Sequence, residues 1–170
     1  MALFRPTRLA VSVTDLTPSL FRELGVTALL LDVDNTIASF TSHQPAQGAV
    51  EWARAMTDAG LRLIIVSNNY KRRVSAFAAK FGLEYISFAC KPFPFGYLRA
   101  KRLLGVKAAR CAIVGDQIFT DVTGANLCGM RSVLLEPIEL ESGWSFRIRR
   151  YFERPLRARY AKTVKSVQKG

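Results

Sequence analysis

The sequence has few of the residues that build zinc sites, disulfide frameworks or histidine-based catalytic triads. Its 170 residues include three cysteines, Cys90, Cys111 and Cys128, and a single histidine, His43. The cysteines are too few and too scattered for a zinc site or disulfide framework, so we interpret them as small buried residues in a reducing compartment. His43 lies in a polar stretch without suitable partners nearby, and we interpret it as a loop residue. Zinc hydrolysis and Ser-His-Asp catalysis are therefore not indicated.

Long apolar runs are also missing. No uninterrupted apolar segment approaches the ~20 residues that a membrane-spanning helix needs. The N-terminal segment lacks the apolar stretch of a signal peptide, because Arg5, Pro6 and Arg8 interrupt it. A cytoplasmic location is therefore the expectation. With 49% hydrophobic and 22% charged residues, the composition is that of a globular protein with a real core.

Acidic residues are scarce toward the C-terminus. The formal net charge is +12, and residues 147–170 contain nine Lys or Arg and one acid, Glu153. Apolar residues recur here at steps of three and four, as in an amphipathic helix: Ile148, Tyr151, Phe152, Leu156, Tyr160, Val164 and Val167. Pro155 breaks or kinks such a helix, so we predict two shorter helices, with Pro155 near the start of the second. The chain divides into a domain at residues 1–143 and a basic amphipathic tail at residues 144–170.

In the domain, short apolar runs alternate with helical patterns, which is typical of βαβ units and a parallel sheet. The predicted strands are residues 28–33, 62–67, 84–88, 111–115 and 131–135. The predicted helices are residues 46–59, 72–81, 95–104 and 121–128, each followed by a glycine suited to a C-cap. The pattern predicts a doubly wound α/β domain with a Rossmann-like parallel sheet.

Polar side chains follow four of the predicted strands. Right-handed crossovers bring the carboxyl ends of parallel strands to one edge of the sheet, where ligands bind. The side chains that would meet there are Asp32, Asp34, Ser67, Asn68, Lys91, Asp116 and Asp121. Taken singly, these residues have ordinary explanations: Ser67-Asn68 can cap a helix, and Lys91 can be a solvated surface lysine. The ordered set, each member behind a strand, indicates a binding or catalytic site.

The residue types at this edge suit a metal ion and a phosphate group. Close carboxylates such as Asp32 and Asp34 repel each other, and a divalent cation is the natural neutraliser. Magnesium fits better than zinc, because no histidine or cysteine accompanies the acids. A hydroxyl such as that of Ser67, with loop amides, can bind phosphate oxygens, and Lys91 can offset developing negative charge.

In this order the residues resemble the four motifs of the haloacid dehalogenase-like superfamily. The motifs DxDxT, a Ser after an apolar strand, Lys-Pro and GDxxxxD are met at residues 32–36, 67, 91–92 and 115–121. The resemblance covers residues 28 to 136. The segments Asp-Val-Asp-Asn-Thr, Val-Ser-Asn-Asn and Val-Gly-Asp-Gln-Ile-Phe-Thr-Asp look like the YqeG-type class IIIA group. That group is related to phosphatases that convert phosphatidylglycerophosphate to phosphatidylglycerol.

The resemblance implies a magnesium-dependent phosphatase mechanism. Asp32 would attack phosphorus and form an aspartyl-phosphate. Asp34 would protonate the leaving oxygen and then activate the water that hydrolyses the intermediate. The side chains of Asp32 and Asp116 and the backbone carbonyl of Asp34 would hold Mg²⁺.

The same resemblance implies how the phosphoryl group is bound. Ser67, Asn68 and Lys91 would contact it, and Lys91 would also restrain the nucleophile. Asp121 is expected to orient Lys91 or a metal-bound water rather than to bind the metal directly.

The spacing of the motifs leaves no room for an inserted cap domain. Asp32 and Ser67 are 35 positions apart, and Ser67 and Lys91 are 24 apart. We therefore predict an open site, beside a loop at residues 37–48, that suits a phosphate displayed on something large.

The tail has three possible partners: an anionic membrane surface, the domain itself or nucleic acid. The leading hypothesis is a cytoplasmic phosphatase, peripheral on the inner face of the membrane, that acts on phosphatidylglycerophosphate. The N-terminal segment, with Leu3, Phe4, Leu9 and Val11, could join the same surface. One alternative is a phosphatase for nucleic-acid ends or phosphoproteins, and a nucleic-acid substrate predicts salt-sensitive binding to DNA or RNA. The other alternative is a partner-binding module that retains the scaffold.

Overall fold

The computed structural model describes residues 2–39, 41, 44–139, 151–158 and 160. His43 and most of the tail, residues 140–150, 159 and 161–170, lie outside the described residues, so the interpretation of His43 stays a prediction. No helix in the described part of the chain combines the length and apolarity needed to cross a bilayer.

Six strands form one sheet in which every pairing is parallel. They are β1 (Arg8–Ala10), β2 (Ala28–Leu31), β3 (Arg62–Val66), β4 (Glu84–Ile86), β5 (Cys111–Gly115) and β6 (Arg131–Leu135). Their order across the sheet is β1-β6-β5-β2-β3-β4. From β2 the chain first adds β3 and β4 on one side and then returns to add β5, with β6 beyond it, on the other side. This confirms the predicted doubly wound α/β fold and places the switch point at β2.

In the described residues that precede the tail, five α-helices accompany the strands: α1 (Pro18–Glu23), α2 (Ala49–Asp58), α3 (Lys71–Phe81), α4 (Pro94–Leu104) and α5 (Thr123–Leu127). A π-helical turn at Ile118–Val122 precedes α5. Gly82 and Gly105 cap α3 and α4 with φ of 64°, which a residue with a side chain adopts only under strain. Because the π-helical turn ends at Val122 and α5 begins at Thr123, the helix predicted at residues 121–128 is in fact a π-helical turn followed by a shorter α-helix.

The core lies on both faces of the sheet. Side chains alternate along a strand, so Leu29 and Leu31 of β2 pack with α2 and α3, whereas Ala28 and Leu30 pack with α4 and α5. All four are fully buried. Burial on both faces explains why β2 is a continuous apolar run rather than an alternating one.

The strand β1 was not predicted from the sequence. Arg8–Ala10 pairs with β6 at the edge of the sheet, and Leu9 packs beside Ile118 and Leu134. Phe4 packs on the same cluster, with its ring edge-on to Phe119 at 5.6 Å. A three-residue strand is too short to show a period, and only the neighbouring strand stabilises it. Phe4 and Leu9 thus pack on the domain, whereas Leu3 and Val11 of the same segment are exposed, and a membrane contact of this segment stays a prediction.

The described part of the tail also contacts the domain. Residues 151–158 are helical on both sides of Pro155, so the predicted start of a second helix near Pro155 is wrong in this segment. Glu153 and Arg157 flank the proline and bond to the domain, which offsets the hydrogen bond that the proline cannot make. Leu156 packs against the cluster of Ile118, Val122 and Leu134, whereas Tyr151 and Phe152 are exposed.

Candidate active site

The ends of the central strands bring the predicted site residues together at the carboxyl edge of the sheet. Asp32 directly follows β2, and its N–H donates to the Val114 carbonyl of β5 at 3.0 Å. Ser67 directly follows β3, and its N–H donates to the Ile86 carbonyl of β4 at 3.0 Å. Asp116 directly follows β5. Asp32 and Ser67 therefore continue the sheet pairing, and the rigid sheet sets the spacing of the three residues.

Three buried carboxylates form the centre of the site. Asp32, Asp116 and Asp121 each place a carboxylate oxygen within 4.8 Å of the others. Asp116 and Asp121 are fully buried and Asp32 is nearly so. Burial raises the pKa of the Asp32 carboxyl well above its usual range, Lys91 lowers it, and the neighbouring Asp121 and Asp116 raise it further. Such a cluster is costly unless cations accompany it.

Lys91 provides one of these cations. Its Nζ lies 2.7 Å from Asp32 Oδ1 and 2.6 Å from Asp121 Oδ1, and its side chain is buried. Burial by itself lowers the pKa of Lys91, but the carboxylates of Asp121 and Asp32 outweigh it and raise the pKa above the ordinary value. Lys91 is therefore charged throughout the neutral range. The geometry agrees with the expectation that Asp121 orients Lys91 and that Lys91 restrains Asp32.

The chemistry of this donor set fits a divalent metal ion. Three carboxylates and one ammonium leave a formal charge of −2 on these four side chains when all are ionised. The donors are hard oxygen atoms, which Mg²⁺ prefers, and no sulfur or imidazole lies among them. Asp32 and Asp116 belong to the predicted metal-binding set, and Asp121 lies beside them.

The carboxylate of Asp34 is held apart from this cluster. Arg73, from the first turn of α3, donates to Asp34 Oδ1 from Nη2 at 2.6 Å and from Nε at 3.1 Å. The Asn69 side-chain amide donates to Asp34 Oδ2 at 2.9 Å. Two donors from separate positions thus fix the orientation of the predicted acid–base residue.

Sequence reasoning missed Arg73, although a signal was present. The first turn of α3 carries Lys71, Arg72 and Arg73 and no acid, against the preference for negative charge at a helix N-terminus. Positive charge collected at that position is unfavourable for the helix alone, and it indicates an anionic partner. For Arg73 that partner is Asp34.

Ser67 and Asn68 lie directly after β3, where the second motif was predicted. The Asn68 side chain also binds the backbone of Lys91. Its Nδ2 donates to the Lys91 carbonyl at 3.0 Å, and its Oδ1 accepts from the Lys91 N–H at 2.6 Å. The side chain therefore fixes the loop that carries the lysine. The hydroxyl of the buried Ser67 accepts from the Asn69 N–H at 3.2 Å.

Close packing around the fourth motif explains its glycine. A Cβ on Gly115 would lie 2.4 Å from Cγ of Asp121, so only glycine lets that carboxylate reach the centre of the site. The Asp121 Oδ2 also accepts from the Gln117 N–H at 3.2 Å. The buried Tyr97 donates its hydroxyl proton to the Thr120 carbonyl at 2.9 Å and so supports the π-helical turn. These contacts hold Asp121 in place.

The tail supplies a further support that the sequence did not reveal. Glu153 Oε1 accepts from the N–H groups of Ile118 and Phe119 at 2.8 and 3.2 Å. Arg157 donates to the main-chain carbonyls of Leu135 and Asp116. The segment 151–158 thus contacts the loop that carries Asp116 directly. Nothing in the spacing of the tail predicts this, because the partners are distant in sequence.

Comparison with known proteins agrees with this arrangement. The family model for haloacid dehalogenase-like hydrolases matches residues 11–129. A protein of Bacillus subtilis strain 168, named "Probable phosphatase YqeG", is 32% identical over 151 residues, which is 89% of this chain and 88% of that protein. The match covers all four motifs and confirms the predicted membership of the YqeG-type group.

Solved structures share the fold at low sequence identity. NagD from E. coli K-12 has a TM-score of 0.56 and 12% identity, covering 68% of this chain and 90% of its own. The cobalt-bound deoxy-D-mannose-octulosonate 8-phosphate phosphatase of Haemophilus influenzae has a TM-score of 0.52 and 16% identity, covering 73% and 84%. At these identities the likeness establishes the fold of the sheet and its helices.

Proposed function

This chain belongs to the haloacid dehalogenase-like hydrolases and is a phosphatase of that family. We propose that it cleaves phosphate monoesters through an aspartyl-phosphate on Asp32. The observation that carries the proposal is the contact of Lys91 Nζ with both Asp32 and Asp121 inside the buried carboxylate cluster. A buried lysine that restrains a strand-end carboxylate is suited to hold a nucleophile and a phosphoryl group together.

In the first step the Asp32 carboxylate attacks phosphorus and a bond forms between them. The bond from phosphorus to the ester oxygen breaks, and its electron pair stays on that oxygen. Asp34 gives the leaving oxygen a proton. In the second step Asp34 takes a proton from water, the water oxygen attacks phosphorus, and the bond to Asp32 breaks to release phosphate.

The remaining residues bind and orient. Ser67 and the Asn68 main-chain amide bind oxygens of the phosphoryl group, and the charge of Lys91 stabilises the negative charge that develops there. Asp121 holds Lys91 in position, and Arg73 holds Asp34.

We propose Mg²⁺ as the cofactor, held by the Asp32 and Asp116 carboxylates and the Asp34 main-chain carbonyl. When bound, the ion acts as a Lewis acid on the phosphoryl oxygens and lowers the charge repulsion of the site.

For the substrate we propose phosphatidylglycerophosphate, dephosphorylated to phosphatidylglycerol at an anionic membrane surface. Two features support a phosphate carried on a large object. Between β2 and β3 the described elements include one helix, α2, and between β3 and β4 they include one helix, α3, with no inserted domain. The basic first turn of α3 lies beside the site, which favours an anionic surface.

The test is phosphate release from matched substrates with Mg²⁺ and with chelator: phosphatidylglycerophosphate in vesicles, a mononucleotide and a phosphopeptide. We expect Mg²⁺-dependent release that is highest from the lipid. Asp32→Asn should abolish release, whereas Asp58→Asn, at the exposed end of α2, serves as the matched control.

The outcomes separate the parts of the proposal. Release from the nucleotide or peptide with none from the lipid refutes the lipid substrate and leaves the phosphatase. Full activity of Asp32→Asn refutes the aspartyl-phosphate mechanism.

A further inference from the structure

Four aromatic side chains stand exposed next to the candidate active site. Tyr70, Phe88, Phe93 and Phe95 have relative exposures between 54% and 72%. We call these four residues the aromatic rim. Large apolar side chains scattered over a surface need no explanation, but a group of them in two adjoining loops indicates a contact surface.

Backbone contacts hold the segments that carry the rim next to one another. Tyr70 follows Asn69, whose carbonyl accepts from the Phe88 N–H at 3.1 Å. The Phe93 N–H donates to the Cys90 carbonyl at 2.9 Å. Phe95 lies in the first turn of α4. The rim therefore consists of the loops after β3 and β4, and Lys91 belongs to the second of these loops.

The backbone keeps one of these rings outward at a conformational cost. Phe88 has φ of 48° and Cys90 has φ of 55°, in the left-handed region that residues other than glycine seldom adopt. Asn35 is the other such residue in the described part of the chain, and it also lies at the site. Backbone strain of this kind tends to be retained where the conformation serves a function.

Exposed cations border the rim. Lys71 and Arg72 directly follow Tyr70, and Arg99 lies one helical turn after Phe95 in α4. Apolar rings bordered by cations are complementary to an anionic lipid surface, where rings enter the interface and cations pair with head groups.

We propose that the aromatic rim docks on the surface of an anionic phospholipid bilayer and thereby holds the Asp32–Lys91 site against the head groups. The proposal rests on the proposed function and adds to it the surface that meets the lipid. A bilayer is favoured over nucleic acid because three of the four rings are phenylalanine, which carries no hydrogen-bonding group and suits the hydrocarbon boundary. The proposed docking surface is separate from the basic tail, which the sequence alone indicated as the membrane contact.

The test is co-sedimentation of the full chain with vesicles of phosphatidylglycerol and phosphatidylcholine, and with phosphatidylcholine alone. The variant is Phe93→Ser combined with Phe95→Ser. The matched control is Leu103→Ser combined with Leu127→Ser, since both leucines are exposed and lie near the C-terminal ends of α4 and α5, at the opposite edge of the sheet. We expect binding of the native chain to anionic vesicles, at least a tenfold loss in the rim variant and no change in the control.

Insertion is measured separately with Phe95→Trp, whose emission should shift to the blue on addition of anionic vesicles, while Leu103→Trp should not shift. Circular dichroism of every variant shows whether the fold is retained. Native-like vesicle binding by the folded rim variant, or a shift by both tryptophan variants, overturns the proposal. A rim variant that loses binding to a single-stranded oligonucleotide but keeps vesicle binding also overturns it, in favour of nucleic acid. Loss of self-association without loss of vesicle binding overturns it in favour of a second copy of the chain.

The assay separates the failure of this proposal from that of the proposed function. If rim-dependent vesicle binding is found but no phospholipid is hydrolysed, the docking surface stands and the substrate is wrong. If phosphatidylglycerophosphate in vesicles is hydrolysed equally by the native chain and the rim variant, the substrate stands and the rim is wrong.

Discussion

The most direct test of the buried charge cluster is Lys91→Met in the metal-free protein. The change keeps a long unbranched side chain but removes the ammonium that contacts Asp32 and Asp121 at 2.7 and 2.6 Å. Removing one partner of a buried ion pair costs about 3–5 kcal/mol, because the remaining charge stays buried. A domain has about 5–15 kcal/mol in total, so the loss is a large part of it. In a chain of this length it corresponds to a fall of roughly 6–20 °C in the unfolding temperature.

The loss should depend on pH in a defined direction. The folded pKa of Asp32 is raised above its unfolded value of 3.8, so the stability that this carboxyl contributes is complete below that value and is lost as pH rises through the folded pKa. Lys91 opposes this, because it lowers the pKa of Asp32. Without Lys91 the folded pKa rises further, so more stability is lost at neutral pH than at acid pH. The stability that Lys91 gains from its own raised pKa is fully present below 10.5, so it is missing from the variant across this whole range.

The assay is urea unfolding in EDTA from about pH 5 to about pH 8, the range in which domains are usually most stable. Lys107→Met, at an exposed lysine, is the control for the substitution itself. We expect the difference between Lys91→Met and the native chain to shrink as pH falls. A difference no larger than that of the control, or one equal at every pH, would refute the electrostatic account.

Three further predictions concern the groups around this cluster. Gly115→Ala places a methyl carbon 2.4 Å from Asp121 Cγ, so we expect kcat to fall by about 10²-fold with an unchanged far-UV spectrum. Arg73→Met frees Asp34 from its guanidinium partner, and we expect steady-state kinetics to show a fall of about tenfold or more in kcat, partly restored by Arg73→Lys. Asp116→Asn should remove most of the rise in unfolding temperature on adding Mg²⁺, an effect of about 2.7 kcal/mol at a hundredfold excess over Kd.

Matched controls exist for two of these. Arg54→Met removes an exposed arginine of α2, and Asp58→Asn removes an exposed carboxylate. Equal losses in Arg54→Met and Arg73→Met would contradict the positioning of Asp34. A full Mg²⁺ shift in Asp116→Asn would contradict the proposed metal site, and unchanged kcat in Gly115→Ala would contradict the packing argument for Asp121.

Some of the supporting residues could not be found from local pattern. The predicted segments for β2 to β6 correspond to real strands because buried parallel strands are apolar runs between turns, and that pattern survives without knowledge of neighbours. By contrast, β1 (Arg8–Ala10) forms because its backbone pairs with the edge of β6, which is distant in sequence. Asn68 shows the same limit: its place after β3 was predictable, but its two bonds to Lys91 depend on where another loop comes to lie.

The sequence by itself determined the fold class, the order of the motifs and which acids, hydroxyl and amine stand behind which strands, because strand periodicity and the handedness of crossovers are local rules. Only the tertiary structure decided that Arg73 holds Asp34, that Glu153 and Arg157 of the tail bond to the loop of Asp116, and that the loop of Tyr70 adjoins the loop of Phe88 and Lys91. These contacts join residues that are far apart in the chain. They depend on the distances and burial that packing creates, and no spacing along the sequence encodes them.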